Sequence, residues 1–520
     1  MSEILIGQSY TLRFDPKLWE AMQPYPPLGA LYAASYLRNC GYEVGLFDAM
    51  LADSETEWLQ ALEQHRPRFA ILYEDNFNYL SKMCLLRMRQ AALVMVEMAR
   101  RQGCTVIVGG SDASDHPEQY LAGGADFVLA GEGEYTLGEL LDHLTGRSPD
   151  PLESIQGLVF LDPLTSNLIQ TPRRPDIREL DKLPFPAWDL VDIARYQDTW
   201  RKQHGYYSMN MVTTRGCPFH CNWCAKPIWG QRYNIRSPEN VVAEIKWLND
   251  TYHPDHINFV DDILGLKPGW LPHFADLLEA QQKRLPFKCL SRVDLLLRDG
   301  EIEALRRAGC QMVWVGAESG SQRILDAMEK GTRVEQIYAA TSRLKAAGIG
   351  IGFFLQFGYP GETRADIQRT VQMVRDCLPD DIGMSVSYPL PGTKFYAQVK
   401  DQLSGRQNWI DSNDLAMLYR GPFTTAFYRQ LHTTLHKEFR ARKAWERLRH
   451  PFSIDTLNPA TLKPKYFWKD VRSLLFNLVS LPLAWLRLQR QARAKHQGLD
   501  PLPQGLSPEA ASQPTRQPAE

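Results

Sequence analysis

Hydrophobic residues in the first part of the chain come in short runs separated by stretches of helical period. Ile4 to Gly7, Glu43 to Phe47, Phe69 to Leu72, Thr105 to Val108 and Asp126 to Leu129 read as five buried strands. Leu28 to Cys40, Glu55 to His65, Ser81 to Gln102, His116 to Ala122 and Glu134 to Leu144 read as the helices between and after them. Such alternation predicts a doubly wound parallel sheet, with a ligand crevice beyond the carboxyl ends of its strands. Gly157 to Leu161 and Leu168 to Thr171 then predict a small hairpin, and the prolines at 172, 175, 184 and 186 a surface connector.

A second alternating array begins near Tyr207. Ser208 to Thr213, His256 to Val260, Phe287 to Leu290, Met312 to Gly316, Gly350 to Gln356 and Gly383 to Ser387 read as strands, most of them followed by a helix. Six strand–helix units predict a partial, open β/α barrel of the TIM type, whose strand-following loops carry the chemistry. From Gly421 the pattern is helical and basic. Leu474 to Leu486 is an apolar stretch interrupted by Asn477 and Pro482 and followed by Arg487, Arg490, Arg493 and Lys495. It is too short to span a bilayer and fits either a helix packed on the barrel or one resting at a membrane interface. The expected organisation is therefore 1–146, a Rossmann-like domain; 147–204, a linker with the hairpin; 205–420, the partial barrel; 421–498, a helical region; and 499–520, a disordered tail rich in Pro, Gln and Ser.

Composition changes this picture little. The chain has 520 residues, 44% apolar and 23% charged, with a formal net charge of −1, which gives no global field to recruit nucleic acid. Six of the nine cysteines sit in apolar or helical stretches, as buried thiols do in a reducing compartment. The sequence Met1-Ser2-Glu3-Ile4 has no basic region ahead of an apolar one, so no signal peptide is expected. No run of 18 or more apolar residues predicts a membrane span. The expected location is cytoplasmic, with the apolar carboxyl-terminal stretch leaving room for peripheral contact at the inner membrane face.

The candidate chemistry lies just after the first barrel strand, in Thr214-Arg215-Gly216-Cys217-Pro218-Phe219-His220-Cys221-Asn222-Trp223-Cys224. Three cysteines at C-x-x-x-C-x-x-C spacing on one loop suit an iron–sulfur cluster held by three thiolates, leaving one iron without a protein ligand. A zinc site would want a fourth ligand, for which His220 is available inside the loop. A disulfide or three incidental thiols are the plainer readings.

The spacing resembles the signature of the radical S-adenosylmethionine (SAM) enzymes. That resemblance implies a 4Fe-4S cluster on Cys217, Cys221 and Cys224, with SAM on the open iron and reductive cleavage to a 5′-deoxyadenosyl radical. It places SAM contacts at Trp223, Asp261, Arg292, Glu318 and Gln356, the last four at barrel strand ends. Core packing for Trp223 and a helix cap for Asp261 are the competing readings. Arg292 is expected to pair with SAM or with Glu318.

The amino-terminal motifs narrow the match. Pro26-Pro27-Leu28-Gly29, Val108-Gly109-Gly110-Ser111 and Gly131-Glu132-Gly133-Glu134 resemble the cobalamin-binding domain of one branch of these enzymes. The branch is similar to the radical SAM C-methylases and to the anaerobic magnesium-protoporphyrin ester cyclase group. This implies cobalamin contacts at Leu28, Gly29, Asp75, Asn76, Gly109, Gly110, Gly131 and Glu132. The D-x-H-x-x-G cobalt-ligand motif is absent, since Asp115-His116 does not supply it. Tyr73 to Tyr79 is unusually polar and aromatic for a sheet edge and is expected to line the lower cobalamin face or the contact with the barrel. The implied activity is methylation of an unactivated carbon, with oxidative cyclisation or a non-catalytic cofactor-binding role as alternatives. The implied partners are a small-molecule substrate and an electron donor such as flavodoxin or ferredoxin; the basic, partly apolar carboxyl-terminal region leaves room for a lipid-like substrate.

Overall fold

The computed structural model describes residues 2–83, 85–224, 228–281, 284–403, 408–449 and 464–493. The expected disordered tail, 499–520, lies outside the described residues.

Strands β1 (Ile4–Gly7), β2 (Val44–Phe47), β3 (Phe69–Tyr73), β4 (Thr105–Gly109) and β5 (Phe127–Leu129) pair in parallel in the order 2-1-3-4-5. Their sequences are apolar at nearly every position because helices cover both faces; every residue of β1 and β3 is buried. The helices Leu28–Asn39 and Glu134–Leu144 pack on one face, and Glu57–His65 and Leu86–Arg101 on the other. The hairpin β6 (Leu158–Leu161) and β7 (Leu168–Gln170) joins β5 antiparallel and extends this sheet to seven strands. The strand order reverses at β1 and β3, so the crevice of the fold opens beyond Gly7 and Tyr73.

The second sheet is parallel and curled: β8 (Ser208–Met211), β11 (His256–Phe259), β12 (Phe287–Ser291), β13 (Cys310–Glu318), β14 (Gly350–Phe357) and β15 (Asp381–Val386) lie side by side in chain order. It is the expected six-stranded partial barrel. Between its first two strands, β9 (Thr214–Arg215) and β10 (Asn234–Ile235) form a two-residue antiparallel ladder. The helix Pro238–Tyr252 starts at Ser237, whose hydroxyl accepts from Asn240 N (3.1 Å), with Pro238 at its first position.

Two stretches depart from expectation. The helical run from Ser81 to Gln102 divides into Tyr79–Met83 and Leu86–Arg101. The connector before the barrel is more than a surface strap: it contains the helix Ile193–His204, and Trp188 and Trp200 are fully buried. The Trp200 indole donates to Pro24 O (2.7 Å), Asn210 of β8 donates to Pro26 O (3.1 Å), and Tyr196 donates to Asp48 (2.6 Å). Its prolines signalled a chain without regular structure, but its aromatic residues fill the seam between the two sheets.

At the carboxyl end, the helices Thr425–Arg449 and Pro464–Gln491 pack on each other. Arg375–Glu438 (2.5 Å) and Lys443–Asp380 (2.9 Å) tie the first of them to the barrel.

Candidate functional site

The cysteines sit on the loop between β9 and β10, whose short ladder clasps the loop at its base. Gly216 (φ +84°) opens the loop, and a Cβ there would lie 2.4 Å from Arg232 O, so only glycine fits. Asn222, between the second and third cysteines, anchors the loop from four directions. Its backbone N–H donates to Met328 O (3.0 Å), its side-chain amide donates to Ala327 O (2.8 Å), its Oδ1 accepts from the Tyr359 hydroxyl (3.1 Å), and its carbonyl accepts from Phe395 N (2.9 Å). Cys217 is buried, and Cys221 and Cys224 are half-buried. A cavity of about 350 Å³ opens beside the latter two, lined also by His220, Asn222, Thr393, Lys394 and, from the amino-terminal domain, Asp115. Among the described residues no three His, Cys, Asp or Glu side chains converge on one point as a single ion such as zinc requires. Thiolates of an iron–sulfur cubane each take a separate iron and need no such convergence.

The strand ends of the barrel reach this loop. Asp261, after β11, accepts through Oδ1 from Thr213 N (2.8 Å), Thr213 Oγ1 (3.0 Å) and Thr214 Oγ1 (2.7 Å), while its buried Oδ2 has no partner. Burial raises its pKa to about 6 against the lowering effect of those hydrogen bonds. Arg292, after β12, lies 3.6 Å from the Phe219 ring of the cysteine loop, donates to Lys330 O (3.0 Å) and pairs with Asp294 (3.0 Å). Glu318, at the end of β13, pairs with Lys330 (2.8 Å) rather than with Arg292. Burial works against the Lys330 charge, but the Glu318 carboxylate outweighs it and holds the ammonium pKa above its usual value. Glu318 also has left-handed backbone (φ +54°) at a register shift between β13 and β14, a strained geometry for a non-glycine residue. Gln356 of β14 donates to Ser387 Oγ (3.1 Å), and its buried Oε1 is unpartnered. The buried indole nitrogen of Trp223 is unpartnered as well.

The carboxyl edge of the amino-terminal sheet faces the same loop. Phe77, beyond β3, stacks on Trp229 of the loop's return (5.2 Å, 28°), which puts the Tyr73–Tyr79 segment at the barrel contact. Arg215, two residues before Cys217, is buried between Glu132 (2.5 Å) and Glu134 (2.7 Å) beyond β5. Glu132 also accepts from Ile177 N (2.6 Å), so its carboxylate is committed to holding the two sheets together.

At the β1/β3 crevice, Asp75 Oδ1 accepts from Gly29 N (3.1 Å) and Phe77 N (3.1 Å), and Asn76 Oδ1 accepts from Ser111 Oγ (3.0 Å). Gly110 (φ +145°) passes so close that a Cβ would meet Glu74 Cβ at 2.6 Å. Gly131 N donates to Ser114 Oγ (3.0 Å), Gly109 closes β4, and the Leu28 side chain is wholly buried. Gln8, just past β1, is buried with neither side-chain atom partnered, and the hydroxyls of Tyr10 and Ser81 are likewise unpartnered. Buried amides and hydroxyls are rarely left so, and a ligand with its own polar groups at this edge would complete them. Arg215, Asn222, Lys330 and Gln8 were not singled out from the sequence. The first two adjoin the cysteines and were within reach; Lys330 lies 12 residues beyond Glu318 and is brought to it only by the intervening turn of helix.

Comparison with known proteins agrees with both halves of this arrangement. Residues 211–374 match the radical SAM superfamily and residues 19–141 the B12 binding domain. An uncharacterized methyltransferase of Pyrococcus horikoshii is 27% identical over 74% of this chain and 81% of its own. The hopanoid C-3 methylase of Methylococcus capsulatus is 24% identical over 92% of this chain and 88% of its own. The cobalamin-dependent SAM radical enzyme OxsB, solved with aqua-cobalamin and SAM bound, shares the fold over 98% of this chain and 78% of its own (TM-score 0.68, 15% identity).

Proposed function

We propose, for a chain that belongs to the radical SAM enzymes with a B12-binding domain ahead of the barrel, that it is a cobalamin-dependent methyltransferase acting on an unactivated carbon. The observation that carries this reading is the meeting of two carboxyl sheet edges across the cysteine loop, each with buried polar atoms that lack partners. Cys217, Cys221 and Cys224 would hold the 4Fe-4S cluster. Trp223, Asp261, Arg292, Glu318 and Gln356 would surround SAM. Leu28, Gly29, Asp75, Asn76, Gly109, Gly110, Gly131 and Glu132 would form the cobalamin cradle. Together these cofactors supply a carbon-centred radical and a transferable methyl group.

The protein's own part is placement. Asp261 Oδ2 and Gln356 Oε1 offer free acceptors for the N–H and O–H groups of a small zwitterion. Gln8 offers an amide to a neutral, amide-rich ligand. Gly131, where a Cβ would meet nothing nearer than 3.9 Å, would let backbone approach a flat ring, while Gly109 and Gly110 give close packing on Leu129 and Glu74. Glu132 contributes through position, because its carboxylate is held by Arg215. The Phe77–Trp229 stack and the Arg215 ion pairs close the seam and keep water from the space between. The substrate is a small, lipid-like molecule, a choice supported by the alignment of nearly the whole chain with the hopanoid methylase. An electron donor of the flavodoxin or ferredoxin kind would act in the same cytoplasmic compartment.

Anaerobic reconstitution with iron, sulfide, hydroxocobalamin and SAM, followed by reduction in the presence of a cell lipid extract, tests this directly. The expected result is 5′-deoxyadenosine together with a product that carries a methyl group in place of one hydrogen, a net gain of CH2. Absence of 5′-deoxyadenosine would remove the radical reading. A product that has lost hydrogens or gained oxygen would replace methylation with cyclisation. Replacing Asp75 and Asn76 by Ala should alter the visible spectrum of bound cobalamin.

A further inference from the structure

The helix Pro464–Gln491 turns one side inward. Asn477, Ala484 and Leu488 are buried there, and the Trp485 indole donates to Glu438 (3.1 Å) on the helix Thr425–Arg449. Its other side is apolar yet open: Leu475, Phe476, Val479, Leu483 and Leu486 are 53–72% exposed. At 3.6 residues per turn these five fall in one stripe roughly 100° wide, and from 475 to 486 the stripe runs roughly 17 Å along the axis.

Among the described side chains of this helix, the charged ones on this side are all basic. Arg472 precedes the stripe and Arg487 and Arg490 follow it, all exposed. Lys437 of the neighbouring helix stands 5.4 Å from the Phe476 ring. On the neighbouring helix, Glu438 is buried and held by Arg375, Arg442 and Trp485. Among the described residues, no helix is long and apolar enough to cross a membrane.

We infer that this face docks on the surface of an anionic lipid bilayer. The apolar stripe would enter the acyl boundary while the flanking guanidinium groups reach the phosphates, as in helices that lie in the membrane plane. A second copy of the chain fits less well. A two-fold pairing would lay Arg472 of one helix against Arg487 and Arg490 of the other, like charge on like. The surface stands on its own geometry, whether or not the reaction is methylation.

The test is sedimentation of the full chain with vesicles of phosphatidylglycerol and phosphatidylcholine, against vesicles of phosphatidylcholine alone. Binding to the anionic vesicles is expected, falling at about 0.5 M salt. The variant Leu475→Ser/Val479→Ser/Leu483→Ser should bind roughly tenfold less or weaker still, because each change removes apolar area from the stripe. It should keep its circular dichroism and 5′-deoxyadenosine yield, since the three side chains are exposed. A second variant, Arg472→Gln/Arg487→Gln/Arg490→Gln, should lose the preference for anionic lipid. Failure of the wild type to sediment with anionic vesicles, or unchanged binding by both variants, would overturn the proposal. So would a lipid-free dimer that the serine variant converts to monomer, since the face would then be a self-association surface.

Discussion

The two sheet edges that meet at the cysteine loop are built from the same kind of strand end but differ in how their polar groups are held. On the barrel side two ion pairs, Glu318 with Lys330 and Arg292 with Asp294, stand beside the unpartnered acceptors Asp261 Oδ2 and Gln356 Oε1. On the amino-terminal side the crevice holds, beside the Asp75 carboxylate, groups that are uncharged and one carboxyl pushed toward neutrality. Gln8 and the Tyr10 hydroxyl have no partners, and burial raises the Glu74 pKa to about 7. A charged edge holds a small ion; a neutral, amide-lined edge holds a large molecule whose own polar groups are amides and hydroxyls. The difference supports the proposed division of the two ligands between the edges. At the seam itself, Glu132 and Glu134 beyond β5 pair with Arg215 on the barrel loop.

If the edges are separate sites, damage to one should spare the other. Replacing Cys221 with Ser should bring iron down to background and cut 5′-deoxyadenosine formation by a factor on the order of 1,000 or more, because one of three protein ligands is gone. Cobalamin affinity should stay within about twofold, since none of the crevice groups touches that thiol. Joint loss of iron and cobalamin, measured on the same sample, would mean that the edges form one site. A smaller effect is expected from the paired charges. Lys330→Met leaves the Glu318 carboxylate buried without its cation and should cost about 3–5 kcal/mol. A fall in the barrel's thermal midpoint, largely recovered in Glu318→Gln/Lys330→Met, is the expected reading. No recovery in the double variant would show that Lys330 acts through something other than this pair.

Much of this was legible in the sequence, and the exceptions share a cause. Both parallel sheets could be read because each strand is a local apolar run; β1 and the helix Glu134–Leu144 have the expected ends. The cysteine motif could be read because all three thiols lie within eight residues. What escaped was polar chemistry between distant residues. Arg215 finds its carboxylates 81 and 83 positions earlier, and the Trp200 indole finds Pro24 O from 176 positions away. Pairings of that range follow from topology and leave no periodic trace. The helix Ile193–His204 escaped for another reason. It is polar on most of its surface and buries mainly Tyr196 and Trp200, too few positions to set a period against the proline-rich background.

The most delicate probe of the comparison is the protonation of Glu74. Its carboxylate accepts from Ser9 N (3.0 Å), which favours the charged form, but burial prevails and the folded pKa rises from 4.5 to about 7. Between these values the folded chain binds more protons than the unfolded one, so this residue's contribution to stability falls as pH rises through that window, and the loss is complete above it. Glu74→Gln keeps an acceptor for Ser9 N and carries no charge at any pH. It should therefore match the wild type near pH 4.5 and exceed its stability near pH 8 by an amount on the order of 1–3 kcal/mol. Urea unfolding of the apo-protein at the two pH values measures the difference. A variant whose advantage does not change with pH would show that the crevice carries a charged carboxylate after all, and the contrast between the two edges would then rest on Gln8 and Tyr10 alone.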